Sequence, residues 1–293
     1  MAAIAVIGRL YCDLIFTGLS EMPVLGRERF APGLTVTAGG GAFITSAWLK
    51  HLGVDPLLVA ELGTDPFSGV IREAIEAHGI SRHGLREAEG PLPRITVAMP
   101  LQGDRAFLSH VAQAGKRDVA GFLRGAGVGW LHVCEIGTLV EHPDLIPFAR
   151  ETGAILSVDP SWDDTLLFDP EARRLLAQAD LLLPNEEEAR ALTDGLEGDE
   201  AALRLAEGGP LLVLKRGPAG AVVIGRGERF SEPSPGAEVV DTTGAGDAFN
   251  AGLIAGRLQG MSWVEATRLG VRCGARGVET AGGAPSRSSG RAG

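Results

Sequence analysis

The sequence predicts an α/β protein: a mostly parallel, doubly wound sheet flanked by helices, with a second, smaller sheet attached. Three observations predict it. First, short apolar runs at 4–8, 57–63, 130–135, 155–160 and 211–214 alternate with stretches of helical period. Runs that are apolar throughout fit strands buried on both faces, and the alternation places helices over those faces. Second, glycine-rich stretches at 38–42 and 244–246 each open a helix, as ligand-binding loops of open α/β sheets do. Third, residues 17–38 hold Pro23, Gly26, Pro32 and Gly33, which break any crossover helix. Together with a hairpin pattern at 94–99 and 105–110 around Gly103-Asp104, they make the smaller sheet.

Composition bounds the rest. The 293 residues suffice for one large domain over 1–293 with an accessory piece. An apolar content of 45% with 42 glycines fits a globular chain with many tight connections and excludes a disordered one. A formal net charge of −10, without an extended basic tract, argues against nucleic acid and anionic membrane as partners. A phosphorylated ligand needs only a local positive site. Cys12, Cys134 and Cys273 lie far apart without a CxxC pair, which points to a reducing cytoplasm. Residues 1–8 do not read as a signal peptide, and no apolar run reaches membrane-spanning length.

In chain order, 4–8 is the first strand and 10–16 continues it, with Asp13 as its only charge. An acid in an apolar run is costly unless partnered. Asp13 is therefore either an exposed loop residue or a ligand-binding group, since a carboxylate accepts two hydroxyl hydrogen bonds at once. Residues 29–31 and 34–37 read as short extended pieces. Gly39, Gly40 and Gly41 open a helix over 43–52 that Gly53 ends; Phe43 and Ile44 on it are core residues or apolar walls of a site. After the strand at 57–63, Asp65-Pro66 starts a helix that runs to His78.

On the hairpin, Arg105 and His110 are either solvated or substrate-facing. The runs at 130–135 and 155–160 end in Glu135 and Asp159, each a strand-end ligand group or a helix cap. Asn185 reads as an N-cap, with Glu186, Glu187 and Glu188 favouring the helix dipole. Residues 211–224 form strand, glycine turn and strand, with Lys215, Gly217 and Gly220 in the connection.

A strand-like run ends at Val239-Val240, and the loop from Asp241 to Gly246 then enters an apolar helix. Unsatisfied N–H groups at a helix start favour an anion, and glycines let the backbone come close to it. The same residues also suit an ordinary helix start with Asp247 as a first-turn acid. A helix over 263–276 and a turn at 280–285 follow, and the tail from 286 frays. The sequence has no Walker A, HExxH or GxSxG motif, and its six histidines lack metal-ligand spacing.

The run Asp241-Thr242-Thr243-Gly244-Ala245-Gly246-Asp247-Ala248-Phe249 resembles, without a gap, the C-terminal signature of the ribokinase-like (PfkB) carbohydrate kinase family. Gly39, Gly40 and Gly53 fit the family's N-terminal signature, and 61–80 resembles an internal segment. The resemblance covers nearly the whole chain. It implies an ATP-dependent kinase acting on a hydroxyl of a sugar or sugar-like molecule, with Mg2+. The small sheet would be a β-lid formed by about 10–38 and 92–112, and a homodimer contact.

Asp247 would take the hydroxyl proton, and the N–H groups of Gly244, Ala245 and Gly246 would stabilise the moving phosphoryl group. Asp13, Gly39, Gly40, Gly41, Glu135 and Arg105 would hold the acceptor. Asn185, Lys215, Gly217, Gly220, Gly246 and Asn250 would hold the nucleotide. Asn185 and Glu188 would place Mg2+ mainly through water, and Asp241 and Thr243 would help build a site for a monovalent cation such as K+. One departure is Ile44, where the family usually has an Asn that holds the sugar. It leaves the acceptor open between a sugar and a nucleoside, whose base would use an apolar wall. A catalytically silent binding protein is the other alternative, and the intact 244–247 loop argues against it.

Overall fold

The computed structural model describes residues 3–90, 94–101, 104–111, 117–207, 209–279 and 282–286. Strand β1 (Ala3–Ile7) leads into β2 (Tyr11–Thr17), β3 (Gly33–Gly39) and helix α1 (Gly41–His51). β4 (Pro56–Leu62), α2 (Pro66–Ala77) and β5 (Leu85–Glu87) follow. The hairpin of β6 (Arg94–Leu101) and β7 (Asp104–His110) precedes α3 (Val119–Leu123) and β8 (Val128–Val133). Next come α4 (Ile136–Glu141), α5 (Leu145–Thr152), β9 (Ile155–Val158), α6 (Pro170–Leu176) and β10 (Leu181–Leu182). The chain continues through α7 (Glu186–Leu192), α8 (Gly198–Ala206), β11 (Leu211–Lys215), β12 (Ala221–Gly225) and β13 (Glu228–Glu232). Two long helices, α9 (Ala245–Leu258) and α10 (Trp263–Gly277), close it.

The large sheet has nine strands in the order β13-β12-β11-β10-β9-β8-β1-β4-β5. Every pairing from β11 to β5 is parallel, and the antiparallel pairings, β11 with β12 and β12 with β13, lie at one edge. From β1 the chain winds one way through β4 and β5, then returns to the other side of β1 at β8. The crevice outside the carboxyl ends of β1 and β8 is therefore a topological switch point.

Successive strand residues point to opposite faces. Ile4, Val6, Trp130 and Val213 accordingly join one core layer with α1 and α9. Ala5, Ile7, Leu131 and Leu212 join the other, with residues of α3, α5 and α6. Residues 248–256 of α9 are all buried, because α1, α10 and the sheet surround that helix. α9 and α10 approach backbone to backbone. A Cβ on Gly252 would stand 2.9 Å from Gly270 Cα, and one on Gly256 would stand 2.9 Å from Ala266 Cα.

The second sheet has four strands in the order β3-β2-β6-β7. Three expectations need correcting. The run 10–16 does not continue the first strand, because β1 ends at Ile7 and β2 pairs with β3 and β6 instead. Residues 29–31 form no strand. Nor do 237–240: Val239 and Val240 are 62% and 65% exposed, and Val240 and Asp241 donate their N–H groups to Val278 O. Apolar residues alone do not make a strand where no neighbouring strand supplies hydrogen bonds. Of the lid segments, residues 92–93 and 112 lie outside the described residues, as do Gly103 of the turn, Thr280 and Ala281, and the tail from 287.

Candidate active site

The start of α9 sits at the carboxyl end of the large sheet. Its N-cap, Gly244, is left-handed, with φ 74° and ψ 3°. A side chain there would also meet Ile44 Cδ1 at 2.8 Å and Gly283 Cα at 3.2 Å. Both the dihedrals and the space require glycine. The N–H groups of Gly246 and Asp247 have no acceptor among the described residues. They make this helix start fit for an anion such as a phosphate.

Two carboxylates flank the Gly39-Gly40-Gly41 run. A Cβ on Gly39 would overlap the Asp13 carboxylate. A Cβ on Gly41 would stand 2.8 Å from Asp247 Oδ1 and 3.0 Å from Cys134 Cβ. Asp13, 6% exposed, is pushed up to about 7, first by burial and then by the charge of Asp241. Asp247 is also pushed up to about 7, first by burial and then by Asp159, with Lys215 pulling the other way. Burial, then the charge of Asp159, raises Glu188 as well.

These shifts carry a sign for stability. Carboxyls released at about 4 in the unfolded chain stay protonated to about 7 in the folded one. Between those values the native state binds more protons. This contribution is full below about 4 and is lost as pH rises through about 7. The urea midpoint of the ligand-free protein is expected to be higher at pH 5.5 than at pH 8, with the difference reduced in Asp247→Asn. A midpoint that rises from pH 5.5 to pH 8 would contradict this.

Lys215 ends β11 and Asp159 follows β9. Lys215 Nζ lies 2.6 Å from Asp159 Oδ2, and Asn250 Nδ2 donates to the same oxygen at 2.5 Å. Asn185 and Glu188 close a capping box. Glu188 Oε1 accepts from Asn185 Nδ2 at 2.8 Å, Oε2 accepts from Asn185 N at 2.9 Å, and Asn185 Oδ1 accepts from Glu188 N at 2.8 Å. That mutual engagement suits contact with a hydrated Mg2+ better than direct ligation. Among the described residues no group of three or more His, Cys, Asp or Glu could hold a metal ion.

Gly217 and Gly220 bracket the turn between β11 and β12, both with positive φ, and a Cβ on Gly220 would overlap Glu232 O. Asp241 joins two loops: its Oδ1 accepts from Thr243 N and its Oδ2 from Gly282 N, each at 2.9 Å.

Glu135 is heavily engaged. It accepts from Arg9 N at 3.1 Å, Thr138 Oγ1 at 2.9 Å and Tyr11 Oη at 3.0 Å, and Tyr11 Oη in turn accepts from Arg94 at 2.9 Å. It therefore ties the four-stranded sheet to the start of α4. Sequence reasoning missed Arg9, Tyr11 and Arg94, although Arg9 follows directly on the glycine after β1, at a ligand-bearing strand end. The Arg105 side chain lies outside the described residues, while His110 is exposed on β7. Ile44, 1% exposed, packs under Gly244 and forms no open wall. Cys12, Cys134 and Cys273 are buried and unpaired.

A glycine-opened helix start fit for an anion, beside buried carboxylates at a switch point, is the arrangement a phosphoryl-transfer site on an α/β sheet would use. Known proteins agree. The profile of the pfkB family of carbohydrate kinases matches residues 1–289. A fructokinase of Klebsiella pneumoniae is 30% identical over 236 residues, which cover 74% of this chain and 76% of that protein. Ribokinase of Arabidopsis thaliana, solved with ribose and ATP, superposes with a TM-score of 0.82 at 23% identity, over 96% of this chain and 94% of that one. A nucleoside kinase of Burkholderia thailandensis, solved with inosine, gives 0.77 at 24% identity, over 96% and 93%.

The chain belongs to the pfkB family of carbohydrate kinases. It is a phosphotransferase with an alcohol group as acceptor, and its reaction is ATP-dependent phosphorylation of a hydroxyl on a sugar or sugar-like small molecule. Among the described residues no helix is long and apolar enough to cross a membrane.

Proposed function

We propose that the acceptor is a free sugar, bound between the four-stranded sheet as lid and the start of α1. The observation that carries this is the placement of Asp13 and Asp247 on either side of Gly39-Gly40-Gly41. In the lid, Asp13 is opposite Thr37 and Thr96, and Thr96 Oγ1 lies 3.0 Å from Ser109 Oγ. One row thus carries a carboxylate and hydroxyls, which suits a polyol. The buried Ile44 offers no surface to a nucleoside base, so the sugar reading is favoured over the nucleoside one.

In this reading Asp247 accepts the proton of the attacking hydroxyl, and the backbone N–H groups of 244–246 stabilise charge on the phosphoryl group. Asp13, the glycines of 39–41, Glu135 and Arg105 orient the acceptor. Lys215, Gly217, Gly220 and Asn250 belong to the nucleotide side. Bound Mg2+, held through water near Asn185 and Glu188, neutralises phosphate charge. Asp241 and Thr243 frame a K+ site that stiffens the loop leading into α9. Exposed Leu34, Val36 and Leu108, on the lid face opposite Asp13, suit a second copy, so the enzyme is a lid-paired homodimer; a cytoplasmic location belongs to the same reading.

One experiment tests this reading. ADP release is measured with fructose, ribose, 2-keto-3-deoxygluconate, adenosine and pseudouridine, in K+ and in Na+ salts, with light scattering on the same sample. A free sugar is expected to exceed both nucleosides by at least about tenfold in kcat/KM, a gap of about 1.4 kcal/mol in transition-state binding. Higher kcat/KM for a nucleoside would sink the sugar reading, and no turnover with any acceptor would sink the catalytic one.

A further inference from the structure

Lys215 is a largely buried cation that feels the charge of carboxylates from three elements: Asp159 after β9, Glu188 on α7 and Asp247 on α9. Burial pulls its pKa down, but these charges outweigh that and leave it raised. Among the described residues only Asp159 forms an ion pair with it. The Asp159 carboxylate is itself fixed from two further directions. Ser161 N donates to its Oδ1 at 3.1 Å, and Asn250, fully buried in α9, donates to its Oδ2 at 2.5 Å. The ammonium stands 3.1 Å from the position a Cβ on Gly246 would take. It lies at the start of α9, and any side chain at 246 would crowd it.

A buried ion pair is weak evidence for stability, because an apolar pair of similar volume often does as well. Its place at two strand ends, beneath the helix start, points to chemistry instead. We propose that Asp159 and Asn250 are positioning residues for phosphoryl transfer. They hold the Lys215 ammonium under Gly246, where it meets the terminal phosphate of ATP. This rests on the proposed reading of the site and adds a requirement to it: Lys215 works only while Asp159 holds it.

The test is a double-mutant cycle of Asp159→Asn and Lys215→Met, assayed with the best acceptor and with calorimetry of ADP and a non-hydrolysable ATP analogue. Each single variant is expected to lower kcat/KM for ATP by at least about tenfold, as misplacement by about 1 Å can. Acceptor KM and ADP affinity stay within about twofold, and the analogue binds about tenfold more weakly. The double variant is no slower than Lys215→Met alone, because non-additivity marks residues acting as one unit. Multiplying losses, unchanged ATP kinetics in Asp159→Asn, or a shift in acceptor KM instead would overturn the proposal.

If Asp159→Asn fails to fold, Asn250→Ala takes its place. A loss confined to the same ATP parameters supports the proposal, and unchanged ATP kinetics reject it. A wild type that phosphorylates nothing would sink the site reading. An active wild type with an unaffected Asp159→Asn would sink only this inference.

Discussion

Asp247→Asn is expected to lower kcat at least about a hundredfold, with KM for both substrates within about threefold, as removal of a general base does. The amide is close to the carboxylate in shape, so the contacts around Gly41 and Cys134 persist. What disappears is the proton acceptor. Its carboxyl, raised to about 7 chiefly by burial, lies near neutral pH, where a general base works best. Turnover of the wild type should therefore fall below about pH 7 along a one-proton limb that the variant lacks. Steady-state ADP release from pH 5.5 to 8.5 checks both statements. Near wild-type turnover in the variant would remove Asp247 from the proton-transfer role.

Gly39→Ala is expected to raise acceptor KM at least about tenfold while leaving ATP affinity unchanged, as expected when an acceptor-binding contact is lost. Gly39 has no positive φ, so its backbone tolerates alanine. The obstacle is space. The added methyl would overlap the Asp13 carboxylate and push aside the group proposed to hold the acceptor hydroxyl. Gly40→Ala is a harsher change, since φ is 87° there and the new Cβ would meet Arg9 O at 2.7 Å. Initial rates with the acceptor varied, beside calorimetry of ATP analogue binding, separate the two substrates. Equal acceptor KM in Gly39→Ala and wild type would show that Asp13 does not depend on that open space.

Much of the fold was legible because the chemistry is local. Asp65 before Pro66 reads as an N-cap with proline in the first turn, and Asp65 Oδ1 accepts from Phe67 N and Ser68 N. Asn185 likewise reads as an N-cap, and the structure completes it with Glu188 as a capping box. The 10–16 run was misread because an apolar stretch does not reveal which sheet it joins, and β2 takes partners from 33–39 and 94–98. The run ending at Val239-Val240 was misread for the same reason.

In the candidate site, Asp247, Asp13 and the glycines carried their own signals. The Asp159–Lys215–Asn250 cluster did not, because its members are 56 and 91 positions from Asp159 and only the sheet order brings them together. Ile44 shows the opposite failure. Its substitution suggested a changed acceptor wall, yet the side chain turns inward beneath Gly244.

The backbone-close packing of α9 on α10 has a consequence for how such an enzyme diversifies. Asp247 and Asn250 belong to a helix in which glycine contacts leave no room for adjustment, while Asp13, Thr37 and Thr96 belong to a separate four-stranded sheet. In the proposed reading, the transfer chemistry and part of the acceptor recognition thus sit on different scaffolds. Exchanging the small sheet for that of a relative should re-address the enzyme to another alcohol while its phosphoryl-handling machinery stays the same.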